Sequence, residues 1–128
     1  MPENPPRPTD AELEILTVLW SLGPSTVRDV HAAIIRRRPA QYSTVLKFLQ
    51  IMAGKGLVRR NEKQRAHVYE AARPSEWTQR QLAGDLLQRA FNGSAKSLMM
   101  GALSARKASK GELAELRRLL DDYEKGSQ

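Results

Sequence analysis

Residues 41–69, QYSTVLKFLQIMAGKGLVRRNEKQRAHVY, decide the fold, because they combine a short amphipathic helix with two β segments. The first part predicts a helix over residues 42–53, since its apolar side chains recur at helical spacing and define one buried face. These side chains are Val45, Phe48, Leu49 and Met52. Gly54 and Gly56 predict the end of this helix, because glycine adopts the backbone conformation of a helix C-terminus at little cost.

The second part of the same stretch predicts a β-hairpin. Residues 57–60 and 66–69 have the composition of two short strands, and residues 61–65 between them are all polar or charged. A short helix followed directly by a hairpin with a basic tip is typical of a helix that reads DNA and of the wing beside it.

Two more helices are predicted upstream of this stretch. The first begins with a capping box formed by Thr9 and Glu12, and a Gly-Pro pair ends it. Ser25 or Thr26 caps the second, which ends in the Arg-Arg-Arg-Pro run of residues 36–39. Positive charge suits the negative end of a helix dipole there, and proline prevents the helix from continuing.

The order of these elements predicts a mainly α fold with a small β wing. Residues 1–8 are rich in proline and are expected to form a flexible arm. Residues 9–73 are expected to form a winged helix-turn-helix DNA-binding domain. Residues 74–128 are expected to form a helical dimerisation region.

The dimerisation region is predicted from three amphipathic helices that follow residue 74. Their apolar surface exceeds what about fifty residues can bury alone, so packing against a second copy is the economical solution. The candidate dimerisation residues are Trp77, Leu82, Leu86, Leu87, Phe91, Leu98, Met99, Leu103, Leu113, Leu116, Leu119, Leu120 and Tyr123.

Candidate DNA-binding residues follow from the predicted helix and wing. Cations that could neutralise phosphates are Lys47, Lys55, Arg60, Lys63 and Arg65. Side chains at the start of the third helix could hydrogen-bond phosphates or base edges: Tyr42, Ser43 and Thr44. On its exposed face, Lys47 suits guanine, Gln50 suits adenine, and Leu46 could contact a thymine methyl group.

Each of these assignments has a structural alternative. Tyr42 could simply pack beside the second helix, and Thr44 could serve only as a helix cap. Leu46 could be one of the isolated surface leucines that most proteins carry.

Charge is concentrated around the predicted interface. Eleven basic and three acidic side chains lie between Arg28 and Arg73, an excess of eight, whereas the whole chain carries +7. A localised positive field favours a polyanion through counterion release, although a charged run is as often a solvated face without a partner.

Composition and motifs argue against several other classes of protein. The chain has no cysteine, so disulfides, thiol catalysis and thiolate metal sites are excluded. His31 and His67 lie in different elements without ligand spacing, and no nucleophile motif is present, so neither a metal site, a cofactor nor an enzyme is predicted. The sequence shows no signal peptide or membrane span, which predicts a cytoplasmic protein without membrane insertion.

Several motifs resemble the penicillinase-repressor (BlaI/MecI) family of bacterial transcription regulators. They include Tyr42-Ser43-Thr44-Val45, Lys55-Gly56-Leu57-Val58 and the opening Glu12-Leu13-Glu14-Ile15-Leu16, with the C-terminal Lys96-Ser97-Leu98. The likeness extends from Thr9 to about Tyr123. It implies a homodimeric repressor that binds a palindromic operator through two winged domains, with C-terminal helices interlocked between subunits.

The resemblance also implies a partner for induction. Family members are often relieved by a membrane metallopeptidase sensor, which in resistance members cuts an Asn-Phe bond shortly after the segment matching residues 96–98. This chain has Met99-Met100-Gly101-Ala102 there, so that scissile pair is absent. The family's arginines on the recognition helix are replaced by Leu46 and Ile51, so a different operator sequence is expected.

Two further functional classes remain as alternatives to a repressor. A winged-helix module that docks onto acidic protein is suggested by the apolar side chains Leu46 and Ile51 on the exposed face. An enzyme has only composition in its favour, because fold alone does not determine function.

Overall fold

The computed structural model describes residues 5–63 and 65–126, and this part of the chain contains six helices and three short strands. The first elements are α1 (Asp10–Leu22), β1 (Ser25–Thr26), α2 (Val27–Ile35) and α3 (Tyr42–Lys55). They are followed by β2 (Val58–Asn61), β3 (Val68–Ala71), α4 (Ser75–Ala90), α5 (Ala95–Ala105) and α6 (Lys110–Gly126). The chain divides into two compact units, Met1–Ala83 and Gly84–Gln128, so the division falls within α4.

Helix caps define the starts of α1 and α2. Glu12 N–H donates to Thr9 Oγ1 at 3.3 Å and Thr9 N–H donates to Glu12 Oε1 at 2.9 Å, which confirms the predicted capping box. Thr26, rather than Ser25, caps α2, and it forms a second capping box with Asp29 that was not predicted. Four first-turn N–H groups of a helix lack partners within the helix, and these side chains satisfy part of that need.

The sheet is antiparallel and has the order β1-β3-β2. Tyr69 in β3 pairs with Ser25 on one side and with Arg60 on the other. The wing strands lie one or two residues further along the chain than predicted. β1 was missed because two polar residues carry no alternating pattern, and their pairing depends on a strand more than forty residues away.

A single apolar core lies in the first unit and is built from α1, α2, α3 and the sheet. Leu49 and Met52 of α3 are fully buried in it, and Tyr69 of β3 is 1% exposed. Leu46 and Phe48 are only partly buried but pack against the same core. The core therefore fixes which face of α3 turns outward.

The N-terminal stretch and the start of α4 also belong to the first unit. Pro5 and Pro8 are buried, and Gln81 Nε2 donates to the carbonyl oxygen of Pro5 at 3.0 Å, so the expected flexible arm is packed in this part. Trp20 Nε1 donates to the carbonyl oxygen of Arg73 at 2.9 Å. The Arg73 guanidinium lies 4.5 Å from the ring centroid of Trp77, a cation–π contact.

The second unit is helical throughout. Ser94 caps α5 by accepting from Ser97 N–H. Ser109 accepts from Glu112 N–H at 3.1 Å, but the Glu112 carboxylate accepts from Arg106 Nη2 at 2.9 Å. None of the described residues from 84 to 126 is buried.

Candidate nucleic-acid interface

The outward face of α3 carries most of the predicted base-reading side chains. Ser43, Thr44, Lys47 and Gln50 are all exposed on it. Leu46, which the sequence places on this face as a contact for thymine, is instead half-buried and packs against the core. The correction has a simple cause, because residue 46 is rotated by only one helical step from buried Val45.

The N-terminus of α3 is electrostatically different from those of α1 and α2. Gln41 makes no side-chain cap hydrogen bond, and the first turn of α3 contains no acidic residue. In α1 and α2, a threonine and an acidic side chain occupy the corresponding positions. The positive end of the α3 dipole is therefore not offset by a carboxylate in its own first turn, which suits a phosphate.

Tyr42 packs beside α2, which was one of the two roles considered for it from the sequence, while its contact with DNA stays a prediction. Its ring meets the His31 ring edge-on, with centroids 5.7 Å apart, while His31 Nε2 lies 2.8 Å from the carbonyl oxygen of Ala40. The side chain nevertheless remains 48% exposed. It is thus held by α2 with its other side accessible to a ligand.

The wing tip presents cations on both sides of residue 64. Lys63 N–H donates to Asn61 Oδ1 at 2.9 Å, and the side chains of Lys63 and Arg65 are exposed. Gln64 between them lies outside the described residues. Within the part of the chain that the structure describes, no carboxylate forms a salt bridge with Lys47, Lys63 or Arg65.

Arg60 and Lys55 differ from these cations because each has an acidic neighbour. Arg60 Nη2 lies 3.1 Å from Glu62 Oε2, and its hydrogen bond with Tyr69, followed by the charge of Glu62, raises the pKa of Arg60. Lys55 Nζ lies 2.8 Å from Oε2 of Glu12, a carboxylate that is 2% exposed. Much of the Lys55 charge therefore neutralises a buried carboxylate of the protein itself.

Arg28 belongs to the same surface but was not selected from the sequence. It is exposed at the start of α2 and lines a depression of about 530 Å³ together with Tyr42 and His67. This depression brings the starts of α2 and α3 and the wing onto one side of the domain. The predicted helix-turn-helix could have revealed Arg28, because its first helix usually crosses the DNA backbone.

Two other features are absent from the described part of the chain. Across residues 5–63 and 65–126, no three acidic or histidine side chains converge in a way that could hold a metal ion. No helix in these ranges is long and apolar enough to span a membrane.

Comparison with known proteins identifies relatives over nearly the full length. The sequence profile of the penicillinase repressor family matches residues 8–122. The transcriptional regulator BlaI of Mycobacterium tuberculosis is 33% identical over 118 residues, which cover 91% of this chain and 85% of that protein.

Solved structures show the same fold at lower identity. The monomeric form of Bacillus licheniformis BlaI, in complex with the blaP half-operator, has a TM-score of 0.50 and 22% identity and covers 57% of this chain and 89% of its own. A MarR family protein from Bacillus stearothermophilus has a TM-score of 0.51 and 18% identity over 94% of this chain and 75% of its own.

Proposed function

The chain belongs to the penicillinase repressor family, and from this premise we propose that it is a transcriptional repressor that binds a palindromic DNA operator as a homodimer. The observation that carries the proposal is that α3 and the wing each present exposed cations without an acidic partner among the described residues. Lys47 on α3 and Lys63 and Arg65 on the wing have no acidic partner among the described residues. The solved half-operator complex of a related BlaI supports DNA as the ligand.

Within this proposal the surface residues have different roles. The exposed side chains of Lys47 and Gln50 read base edges, while Ser43, Thr44 and Tyr42 bind at the phosphate end of α3. Lys63 and Arg65 neutralise backbone phosphates from the wing. Arg60 contributes less, because its ion pair with Glu62 offsets part of its charge. Arg28 adds a backbone contact at the start of α2.

The second unit supplies the dimer in this proposal. Its three helical segments contain no buried residue between positions 84 and 126, yet they expose large apolar side chains. Met100 and Leu120 are each 58% exposed and Tyr123 is 72% exposed. Segments with so little internal burial cannot offset the entropy of folding alone, and a second copy offers matching surface.

The proposal includes a cytoplasmic location and a membrane metallopeptidase as the candidate sensor. The segment 99–102 lies within α5, and Met99 and Met100 are exposed on it. Cleavage there requires α5 to unwind locally, because a protease binds its substrate in an extended form. Since the family's Asn-Phe pair is absent from this segment, the proposed sensor would have to cut at a different bond.

Binding to the protein's own promoter tests the central proposal. We expect the full chain to shift a duplex of that region at lower concentration than a random duplex of equal length. The affinity should fall steeply with salt, since each neutralised phosphate contributes a slope of about 0.9 in a plot of log K against log salt. Equal affinity for the two duplexes at moderate salt would reject sequence-specific repression.

Two substitutions separate base reading from backbone binding. Lys47→Ala should lower the preference for the promoter over random duplex by about tenfold, the value of one good base contact. Arg65→Ala should weaken both duplexes alike and reduce the salt slope by about one. Quantitative titrations of both duplexes at several salt concentrations make the comparison. If Lys47→Ala leaves the preference intact, α3 is not the reading helix.

A further inference from the structure

A depression of about 420 Å³ lies along the outward face of α3. Its walls come from one helix, and their spacing of three to four residues places them on one stripe. The lining side chains are Ser43, Thr44, Lys47, Phe48 and Ile51. Hydrogen-bonding groups thus line one end of the depression and apolar side chains line the other.

The apolar end is formed by Ile51 and Phe48. Ile51 is 42% exposed, whereas Phe48 is half-buried and packs against the core that holds α3 in place. A rigid aromatic ring beside an exposed isoleucine makes a small apolar wall. Because Leu46 packs against the core, Ile51 is the exposed aliphatic side chain on this part of α3.

The chemistry of base edges decides what fits this wall. In the major groove, thymine alone among the four unmodified bases presents a methyl group, and its O4 beside that methyl is a hydrogen-bond acceptor. Lys47 Nζ and the Thr44 hydroxyl are donors on the same depression. Cytosine offers an amino donor, which Lys47 cannot accept although the Thr44 hydroxyl can, and it has no methyl group for Ile51. The apolar end therefore distinguishes thymine from cytosine.

We propose that this depression selects a thymine in each operator half-site, with its 5-methyl group against Ile51 and Phe48. Lys47 or Thr44 then donates to the O4 atom of the same base. The inference rests on the proposed DNA-binding function and moves the thymine contact predicted for Leu46 five residues further along α3. It makes Ile51 a specificity-determining residue.

Replacement of single thymines by deoxyuridine tests the proposal, since this change removes the methyl group and leaves base pairing intact. The probe is the segment of the protein's own promoter that the full chain protects from cleavage, with one thymine changed in each duplex. We expect one position per half-site to weaken binding roughly fourfold, the effect of exposing one buried methyl group. Changing both symmetric positions should multiply the loss to roughly fifteenfold.

Two variants assign the effect to Ile51. Ile51→Ala should bind the thymine and deoxyuridine duplexes equally, because the wall that recognises the methyl group is gone. Ile35→Ala, which removes the same side chain from a 49% exposed position outside the depression, should retain the fourfold difference at that position. Far-UV circular dichroism should show unchanged helix content in both variants.

The outcomes distinguish this inference from the function on which it rests. If the full chain does not prefer the promoter duplex, the proposed function fails. If it binds that duplex specifically but deoxyuridine has no effect at any position, or the effect persists in Ile51→Ala, the thymine inference alone is overturned. Wild-type affinity of Ile51→Ala for the promoter duplex, together with no deoxyuridine effect in the wild-type protein, would instead favour a protein partner for this face.

Discussion

Replacing Lys55 with methionine is expected to destabilise the first unit by about 2 kcal/mol while leaving the salt dependence of DNA binding unchanged. The Glu12 carboxylate is 2% exposed and accepts from Lys55 Nζ at 2.8 Å and from Thr9 N–H at 2.9 Å. Without Lys55, a buried negative charge loses its only cationic partner among the described residues. Because Lys55 itself is 36% exposed, water screens part of the interaction, so the expected loss lies below that of a fully buried pair.

The salt bridge joins two elements that the recognition surface depends on. Glu12 lies in the first turn of α1, and Lys55 is the last residue of α3, forty-three positions away. The contact therefore holds the C-terminal end of α3 on the domain, and Gly56 follows it in a left-handed conformation with φ of 82°. A lysine in this role positions the reading helix and does not neutralise a phosphate.

Lys47→Met provides the matched control, since it removes the same charge from an exposed position on the same helix. Urea unfolding should show a loss only in Lys55→Met. DNA titration should show an unchanged salt slope in Lys55→Met and a lowered preference for the promoter duplex in Lys47→Met. The opposite pattern, with full stability and a reduced slope in Lys55→Met, would make Lys55 a phosphate contact as predicted from the sequence.

The same contact gives the stability difference a defined pH dependence. Burial alone would raise the pKa of Glu12, but hydrogen bonds from Lys55 and Thr9 outweigh it and hold the pKa below its ordinary value. A carboxyl group with a lowered pKa stabilises the folded state above its unfolded-state pKa, and this contribution is lost as pH falls through the lowered value. The gap between wild type and Lys55→Met should therefore be full at pH 7 and shrink in acid.

Glu12 also shows where prediction from the sequence ends. The predicted capping box identified the hydrogen-bond partner of one Glu12 carboxylate oxygen correctly. Thr9 and Glu12 are only three residues apart, and helix starts follow local sequence rules. The second oxygen binds a residue that only the packing of α1 against α3 brings near. In the sequence, a lysine that forms a salt bridge with a buried carboxylate cannot be distinguished from a lysine that faces solvent.

The other differences have the same origin. The core positions Val45, Leu49 and Met52 followed from helical spacing, as did the glycine that ends α3. Leu46 was misplaced because spacing gives an angle around the helix but not the width of the core that meets it. β1 was missed because the strand it pairs with lies far along the chain. Such features depend on contacts that no local pattern encodes.

Replacing Leu120 with aspartate is expected to convert the proposed dimer to a monomer and to weaken operator binding at least a hundredfold. Leu120 is 58% exposed in α6 and lies on the stripe that also contains Leu113, Leu116 and Tyr123. A carboxylate buried in an apolar interface between two copies would be strongly unfavourable, because burying a charge removes its hydration. Two linked winged domains gain a factor of about 10² or more over one through effective concentration, and the monomer loses that gain.

Arg118→Gln is the control for charge, because it changes the net charge by the same amount on the opposite side of α6. It should sediment as the wild-type dimer and bind the operator within about twofold, the range expected for an exposed substitution. Sedimentation velocity at micromolar concentration and titration of the full operator provide the two measurements. Loss of affinity in both variants would trace the effect to charge and remove the support for an apolar interface.

A single half-site keeps the experiment decisive if α6 tolerates the aspartate poorly. The first unit has its own core and carries every predicted DNA-binding residue, so Leu120→Asp should bind a half-site duplex as tightly as one wild-type domain does. Retained half-site binding with lost operator affinity assigns the loss to dimerisation. A dimeric Leu120→Asp protein with full operator affinity would show that the apolar stripe of α6 does not join the two copies. Another surface would then set the distance between half-sites, which is about 34 Å or a multiple of it for a two-fold dimer.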